Sequence, residues 1–175
     1  MSERIDKTSI VLVSMGENEV QRYLSNREDV VCHFINLDKL EDFSVSHFLQ
    51  LLEHNLTVRK VDLLLTYRCP FIIPRHLCHL PPLGGYNIHP SLLPNYRGMN
   101  PWEEIFRDKV SLSGVTFHTL ETTIDAGRII VQESFPILPT DDITSARHRA
   151  DKTAARLIPH FLHEISQIRE SKNID

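Results

Sequence analysis

The chain has 175 residues, 41% of them hydrophobic, and a formal net charge of -4. That length supports one domain with a real hydrophobic core, and the composition is ordinary for a globular protein. A mildly acidic chain without a long basic run gives no electrostatic case for nucleic acid as the main partner, and no apolar run approaches the roughly 18 residues of a membrane span.

The first seven residues, Met-Ser-Glu-Arg-Ile-Asp-Lys, hold no apolar signal region. The three cysteines, Cys32, Cys69 and Cys78, are odd in number and widely spaced. They do not read as a disulfide framework, and a reducing, cytoplasmic setting is expected.

Residues 9–14 (SIVLVS) form a short β-branched apolar run, the pattern of a buried strand. Gly16 follows, and then Val20, Tyr23 and Leu24 recur at helical spacing. Strand, glycine turn and helix make a βα unit, whose loop, 15–18, is either a plain turn or an anion site. Residues 30–35 (VVCHFI) predict a second strand. Val45, Phe48, Leu49 and Leu52 predict an amphipathic helix, and 61–65 (VDLLL) a third strand. This β-α-β-α-β order implies an α/β fold, Rossmann-like, with a mostly parallel sheet and helices on both faces. Ligands of such sheets bind beyond the carboxyl ends of the strands.

Residues 71–74 (FIIP) read either as a core segment ending at proline or as one apolar wall of a ligand slot. His76, Cys78 and His79 lack the second ligand pair of a metal site, so Cys78 is expected to be buried, the histidines partly exposed, and no metal is expected.

Residues 87–101 (NIHPSLLPNYRGMNP) are the densest run of demanding polar placements in the chain. Residues 86–89 read as a short strand. Side chains alternate between faces, so Asn87 and His89 project together and Ile88 points the opposite way. Pro90 and Pro94 stiffen the exit, and Gly98 permits a turn or a close approach.

Asn100-Pro101-Trp102-Glu103-Glu104 is a helix start: cap, proline, then acids. Trp102, Ile105 and Phe106 are expected to face inward, with Lys109 at the far end. Residues 113–120 (SGVTFHTL) alternate, placing Val115, Phe117 and Thr119 on one face and Thr116, His118 and Leu120 on the other. His118 is equally a ligand contact or a hydrogen-bonded structural histidine. In the loop 121–127 (ETTIDAG), Gly127 is expected to adopt a geometry other residues resist, holding Asp125 on a tight bend. Taken alone, Asp125 is an ordinary turn aspartate. Residues 128–136 predict the next strand. Thr140-Asp141-Asp142 caps a last helix whose stripe runs Ile143, Ala146, Ala150, Ala154, Leu157, Ile158, Phe161, Leu162 and Ile165. Pro159 inside it predicts a kink or a break, and 166–175 is expected to fray.

The run Asn-Ile-His-Pro-Ser-Leu-Leu-Pro-Asn-Tyr-Arg-Gly, then Gly114-Val115-Thr116-Phe117-His118 and Ile124-Asp125-Ala126-Gly127, resembles the formyltransferase family. The resemblance is specific from about residue 71 to residue 136 and implies that residues 1–175 are a single formyltransferase catalytic domain. Asn87, His89 and Asp125 match the family's Asn-x-His…Asp triad, at a His-to-Asp interval of 125 − 89 = 36 residues. The implied activity is transfer of a formyl group from 10-formyltetrahydrofolate, a co-substrate, to an amine. A neutral amide such as Asn87 stabilises the oxyanion of the tetrahedral intermediate. A histidine titrating near neutrality donates a proton, and a carboxylate orients the imidazole. How His89 and Asp125 divide the proton handling is open at this level.

The same resemblance implies that folate binds along Pro70, Phe71, Ile72 and Ile73, along Ser91, Leu92, Leu93 and Pro94, and along Glu121, Thr122, Thr123 and Ile124. Arg68-Cys69-Pro70 departs from the family's glycine-containing versions. Met15-Gly16-Glu17-Asn18 lacks the second glycine of a phosphate loop, and Glu17 repels phosphate. A small amine, an amino sugar or amino acid derivative, is therefore the expected acceptor. Glycinamide ribonucleotide is the alternative within the class, and a non-catalytic folate-binding domain the alternative outside it. No nucleic acid and no membrane are expected as partners.

Overall fold

The computed structural model describes residues 7–172; residues 1–6, where the absence of a signal region was read, and 173–175, the tip of the expected frayed end, lie outside the described residues. The chain is α/β, with a six-stranded, mostly parallel mixed sheet. It divides into two compact units, Met1–Tyr86 and Asn87–Asp175.

The first unit holds β1 (Thr8–Ser14), α1 (Glu19–Ser25), β2 (Val30–Asn36), α2 (Val45–Val58), β3 (Leu63–Tyr67) and α3 (Arg75–Cys78). β1 lies between β2 and β3 and pairs with both in parallel. Ile10, Val11, Leu12 and Val13 are fully buried, so both faces of β1 are covered. A continuous β-branched run, rather than alternation, is what such a central strand requires. Asn18, not the glycine loop as a whole, starts α1: its side chain accepts from the Gln21 amide. Phe48, Leu52 and Leu56 supply the buried stripe of α2. The third strand begins two residues later than the sequence suggests. Asp62 lies just before it, its carboxylate accepting from the Ser9 amide and its own amide donating to the Ser9 carbonyl, both at 2.8 Å. Helix α3 was not foreseen: its single turn has neither a long stripe nor a side-chain cap. Cys78 is buried, as expected, while His76 and His79, expected to be partly exposed, are exposed.

The strand β4 (Gly85–His89) runs across the boundary between the units. The second unit continues with α4 (Pro101–Arg107), β5 (Leu112–Thr119), β6 (Ile129–Pro136) and α5 (Ile143–Lys172). β5 and β6 pair antiparallel with a bulge: Phe117 faces Val131 and His118 faces Ile129. Val115, Thr116, Phe117 and His118 are all buried, so both faces of β5 are covered. Phe117 packs on Phe161 of α5, ring centroids 4.8 Å apart.

Three expectations in this unit need correction. Lys109 lies beyond the end of α4, with a left-handed backbone, and Phe106 is only half-buried while Trp102 and Ile105 are buried. Pro159 does not break α5, which runs through it to Lys172. The proline sits on the exposed side, while Ala154, Leu157, Ile158, Phe161 and Ile165 stay buried on either side of it. That continuous apolar stripe outweighs the roughly 3 kcal/mol cost of an interior proline. Asp142 is the cap, accepting from the Ser145 amide at 2.7 Å, while Asp141 grips Arg149 one turn further along. Among the described residues, no helix is long and apolar enough to cross a membrane.

Candidate active site

The site is assembled within the second unit. Alternation along β4 brings Asn87 and His89 to the same face at the strand's carboxyl end. The loop after β4 is hooked onto β5 by Thr116: its Oγ1 donates to the Ser91 carbonyl at 2.7 Å and accepts from the Leu93 amide at 3.2 Å. Gln132 of β6 adds bonds to the Leu93 carbonyl and to Thr116 Oγ1. Two left-handed residues, Tyr96 at φ 57° and Gly98 at φ 101°, then turn the chain back over His89.

Asp125 arrives from the loop between β5 and β6. The left-handed residue in that loop is Asp125 itself, at φ 50°, and not Gly127. Aspartate tolerates this region better than most residues, because its short polar side chain makes local bonds. Gly127 is needed for space: a Cβ there would lie 1.8 Å from the Thr119 carbonyl oxygen. Close approach, not conformational freedom, selects glycine at this position.

His89 Nδ1 lies 3.3 Å from Asp125 Oδ2, and His89 Nε2 lies 2.7 Å from the Tyr96 carbonyl oxygen. The Gly98 amide donates to Asp125 Oδ2 at 2.8 Å. His118 is part of the same cluster. Its Nε2 is 3.1 Å from Asn87 Nδ2 and 3.4 Å from Asp125 Oδ1, and its Nδ1 is 2.9 Å from the Thr119 carbonyl oxygen. Asn87 Nδ2 is also 3.5 Å from Asp125 Oδ1. His89 and His118 are 3% and 2% exposed, so these contacts act with little solvent screening.

Burial pulls the His89 imidazole below its ordinary value, opposed by the Asp125 charge and the Tyr96 carbonyl, with His118 adding to the fall. Burial pushes the Asp125 carboxyl up, but His118, His89 and the Gly98 amide together outweigh it and hold the group below the usual carboxylate range. A buried imidazole held beside an ionised carboxylate and a neutral amide has the chemistry to move a proton and to stabilise an oxyanion.

The other expected site residues fall into two sets. Ser91 and Leu93 are buried, and Ser91 Oγ donates to the Asn95 carbonyl, so these two build the loop. Leu92 is half-buried and Pro94 exposed; Glu121, Thr122, Thr123 and Ile124 are all exposed. In the first unit, Phe71 stacks on Phe48 at 4.8 Å, Ile73 is buried, Pro70 is half-buried and Ile72 is 61% exposed. Burial pushes the thiols of Cys32 and Cys69 up to about 12 and about 11, which leaves neither a nucleophile at neutral pH. Among the described residues, no group of three His, Cys, Asp or Glu is arranged to hold a metal ion.

The chain matches the formyl transferase family over residues 2–162. It belongs to that family. Over 97 residues it is 32% identical to a methionyl-tRNA formyltransferase of Caldicellulosiruptor saccharolyticus, an alignment covering 55% of this chain and 31% of that protein. A second methionyl-tRNA formyltransferase, from Dictyoglomus thermophilum, is 33% identical over 66% of this chain and 36% of its own length. The chain thus spans about a third of the length of the curated relatives it matches. Glycinamide ribonucleotide transformylase 1 from Symbiobacterium toebii superposes with a TM-score of 0.72 at 20% identity, covering 89% of this chain and 86% of that one. At that identity the likeness establishes a shared fold.

In this member of the family, alternation put Asn87 and His89 on one face and the family pattern added Asp125, and the structure brings these three side chains into one cluster. Sequence reasoning left His118 undecided, although alternation had already turned it away from Val115 and Phe117. The Tyr96 and Thr119 carbonyls and the Gly98 amide carry no side-chain signal and were missed.

Proposed function

We propose that residues 1–175 act as one catalytic domain that transfers the formyl group of 10-formyltetrahydrofolate to the amine of a small molecule. The acceptor is an amino sugar or an amino acid derivative, and the setting is cytoplasmic. The observation that carries this reading is the meeting of Asn87, His89 and Asp125, with His89 Nδ1 3.3 Å from Asp125 Oδ2. In it, Asn87 offers a neutral N–H donor to the oxyanion, His89 moves the proton, and Asp125 orients the ring and favours its charged form.

The co-substrate brings the activated formyl carbon. Segments 70–73, 91–94 and 121–124 are assigned to holding it. Ile72 in the first unit is 61% exposed and Ile124 in the second is 47% exposed, so each leaves a large apolar side chain open.

The first βα loop supports a small acceptor without a phosphate. The Gly16 amide already donates to the Asp38 carboxylate at 2.8 Å. A carboxylate of the chain thus holds the donor that a phosphate needs, with Glu17 beside it, and α1 is only seven residues long. The net charge of -4 weighs against an RNA acceptor, although the curated relatives are named for methionyl-tRNA.

The test is a panel of amines incubated with 10-formyltetrahydrofolate, with tetrahydrofolate release followed over time. Turnover with amino sugars or amino acid derivatives, and little with glycinamide ribonucleotide, is expected. Efficient formylation of glycinamide ribonucleotide transfers the assignment to that substrate. Folate binding without release on any amine makes the chain a folate-binding domain instead.

A further inference from the structure

The loop after β4 is tied to the sheet through one carboxamide. Gln132 lies on β6, an edge strand, directly across from Thr116 of β5, so the two side chains share a face. Its Nε2 donates to the Leu93 carbonyl at 3.0 Å and to Thr116 Oγ1 at 2.7 Å. The Thr116 hydroxyl has one proton, and the Ser91 carbonyl takes it at 2.7 Å. Thr116 Oγ1 is left to accept, from Gln132 and from the Leu93 amide at 3.2 Å. Both partners of the Gln132 carboxamide are therefore acceptors, and only its nitrogen end satisfies them.

A second contact presses the same loop onto the hairpin of β5 and β6. A Cβ at Gly114 would lie 2.3 Å from Leu92 Cδ2 and 2.5 Å from the Glu133 carbonyl oxygen, so the loop and the strand meet with no room for a side chain between them. From this anchor the bonds continue into the site. Ser91 Oγ donates to the Asn95 carbonyl at 2.7 Å and lies 3.4 Å from the Tyr96 carbonyl oxygen. That oxygen is 2.7 Å from His89 Nε2, and two residues on the Gly98 amide donates to Asp125 Oδ2 at 2.8 Å. A continuous series of contacts thus joins Gln132, Thr116, Ser91, Tyr96 and His89.

We propose that Gln132 is a positioning residue of the reaction: its carboxamide N–H groups, acting through Leu93 and Thr116, set the loop that brings the Tyr96 carbonyl to His89 and the Gly98 amide to Asp125. The inference rests on reading Asn87, His89 and Asp125 as the reacting centre. Gln132 acts through the loop and not on the reacting atoms. What the position requires is a donor, and shape alone does not supply it. Glutamate has the same shape but, ionised, turns an acceptor toward the Leu93 carbonyl and Thr116 Oγ1. Methionine has similar length and no strong donor. Gln132 is exposed, so either change leaves the core packing in place.

The experiment compares Gln132→Glu and Gln132→Met with the parent, each as the full chain, with kcat and KM for the amine taken separately from tetrahydrofolate release. A loop displaced by a fraction of an ångström to about 1 Å lowers kcat by about 10–10²-fold, and the expected order is parent, then Met, then Glu, with KM for the amine unchanged. Parent kcat in the Glu variant overturns the proposal, as does equal loss in the two variants or a loss confined to KM. The second arm is amide hydrogen exchange at Leu93 and Gly98 in nitrogen-15-labelled chains free of ligand. Exchange at both is expected to be faster in the Glu variant than in the parent, while the amides of β1 are unchanged. Unchanged exchange at Leu93 and Gly98 overturns the positioning role. This arm needs no turnover, so a chain that formylates no amine defeats the proposed activity and still reports whether Gln132 sets the loop.

Discussion

Gly127→Ala tests how the site is built, because its consequence follows from one short distance. The added Cβ would sit 1.8 Å from the Thr119 oxygen, 2.7 Å from the Thr119 carbonyl carbon and 2.7 Å from Thr119 Oγ1. Carbon and oxygen do not approach so closely without displacement, and two of the three obstacles are backbone. Thr119 is also tied down: its amide donates to the Arg128 carbonyl at 3.0 Å, and its Oγ1 accepts from the Arg128 amide at 2.9 Å. Overpacking of this kind costs about 1–3 kcal/mol, and a rigid obstacle places the substitution near the upper end, about 3 kcal/mol. For a chain of this length that lowers Tm by about 6–12 °C. The displaced carbonyl is the one bonded to His118 Nδ1, and the same loop carries Asp125. A shift of about 1 Å there lowers turnover by about 10²-fold. Circular dichroism melting and tetrahydrofolate release measure the two effects. A Gly127→Ala protein with Tm within about 1 °C of the parent and full turnover refutes the account, since overpacking cannot then be what selects glycine.

Two further predictions concern the catalytic groups and pH. His89→Ala and Asp125→Asn should each abolish tetrahydrofolate release while the far-ultraviolet dichroism spectrum is retained. Asn87→Ala should lower release by about 10²–10³-fold, as loss of one oxyanion donor does; full activity in any of the three removes that residue from the mechanism. Because the native pKa of His89 is depressed below 6.5, the unfolded chain binds this proton first as pH falls below that value. Stability therefore declines from 6.5 down to the native value and then levels. The Asp125 contribution has the same sign: present above its ordinary 3.8, it is lost as pH falls through its lowered native value. Urea unfolding at about pH 7.5 and about pH 5.5 should show a smaller loss for His89→Gln than for the parent. An equal loss in both assigns the acid sensitivity to other groups.

Much of the architecture was written locally. The buried run of β1, the stripe of α2 and the proline start of α4 follow from periodicity and capping, which act over a few residues. Strand alternation alone put Asn87 beside His89, and kept His118 on the face away from Phe117. Asp125 needed a family pattern, because a turn aspartate looks the same whether or not two histidines await it 36 and 7 residues earlier in the chain. What tertiary structure decided was of two kinds. Packing overruled a local rule where the buried side of α5 carried the helix through Pro159, and where crowding against Thr119, rather than backbone freedom, required Gly127. The contacts that hold the two imidazole rings and the Asp125 carboxylate came in part from the carbonyls of Tyr96 and Thr119 and the amide of Gly98. Every residue has those groups, so no sequence marks which of them will point inward; only the path of the folded chain aims them.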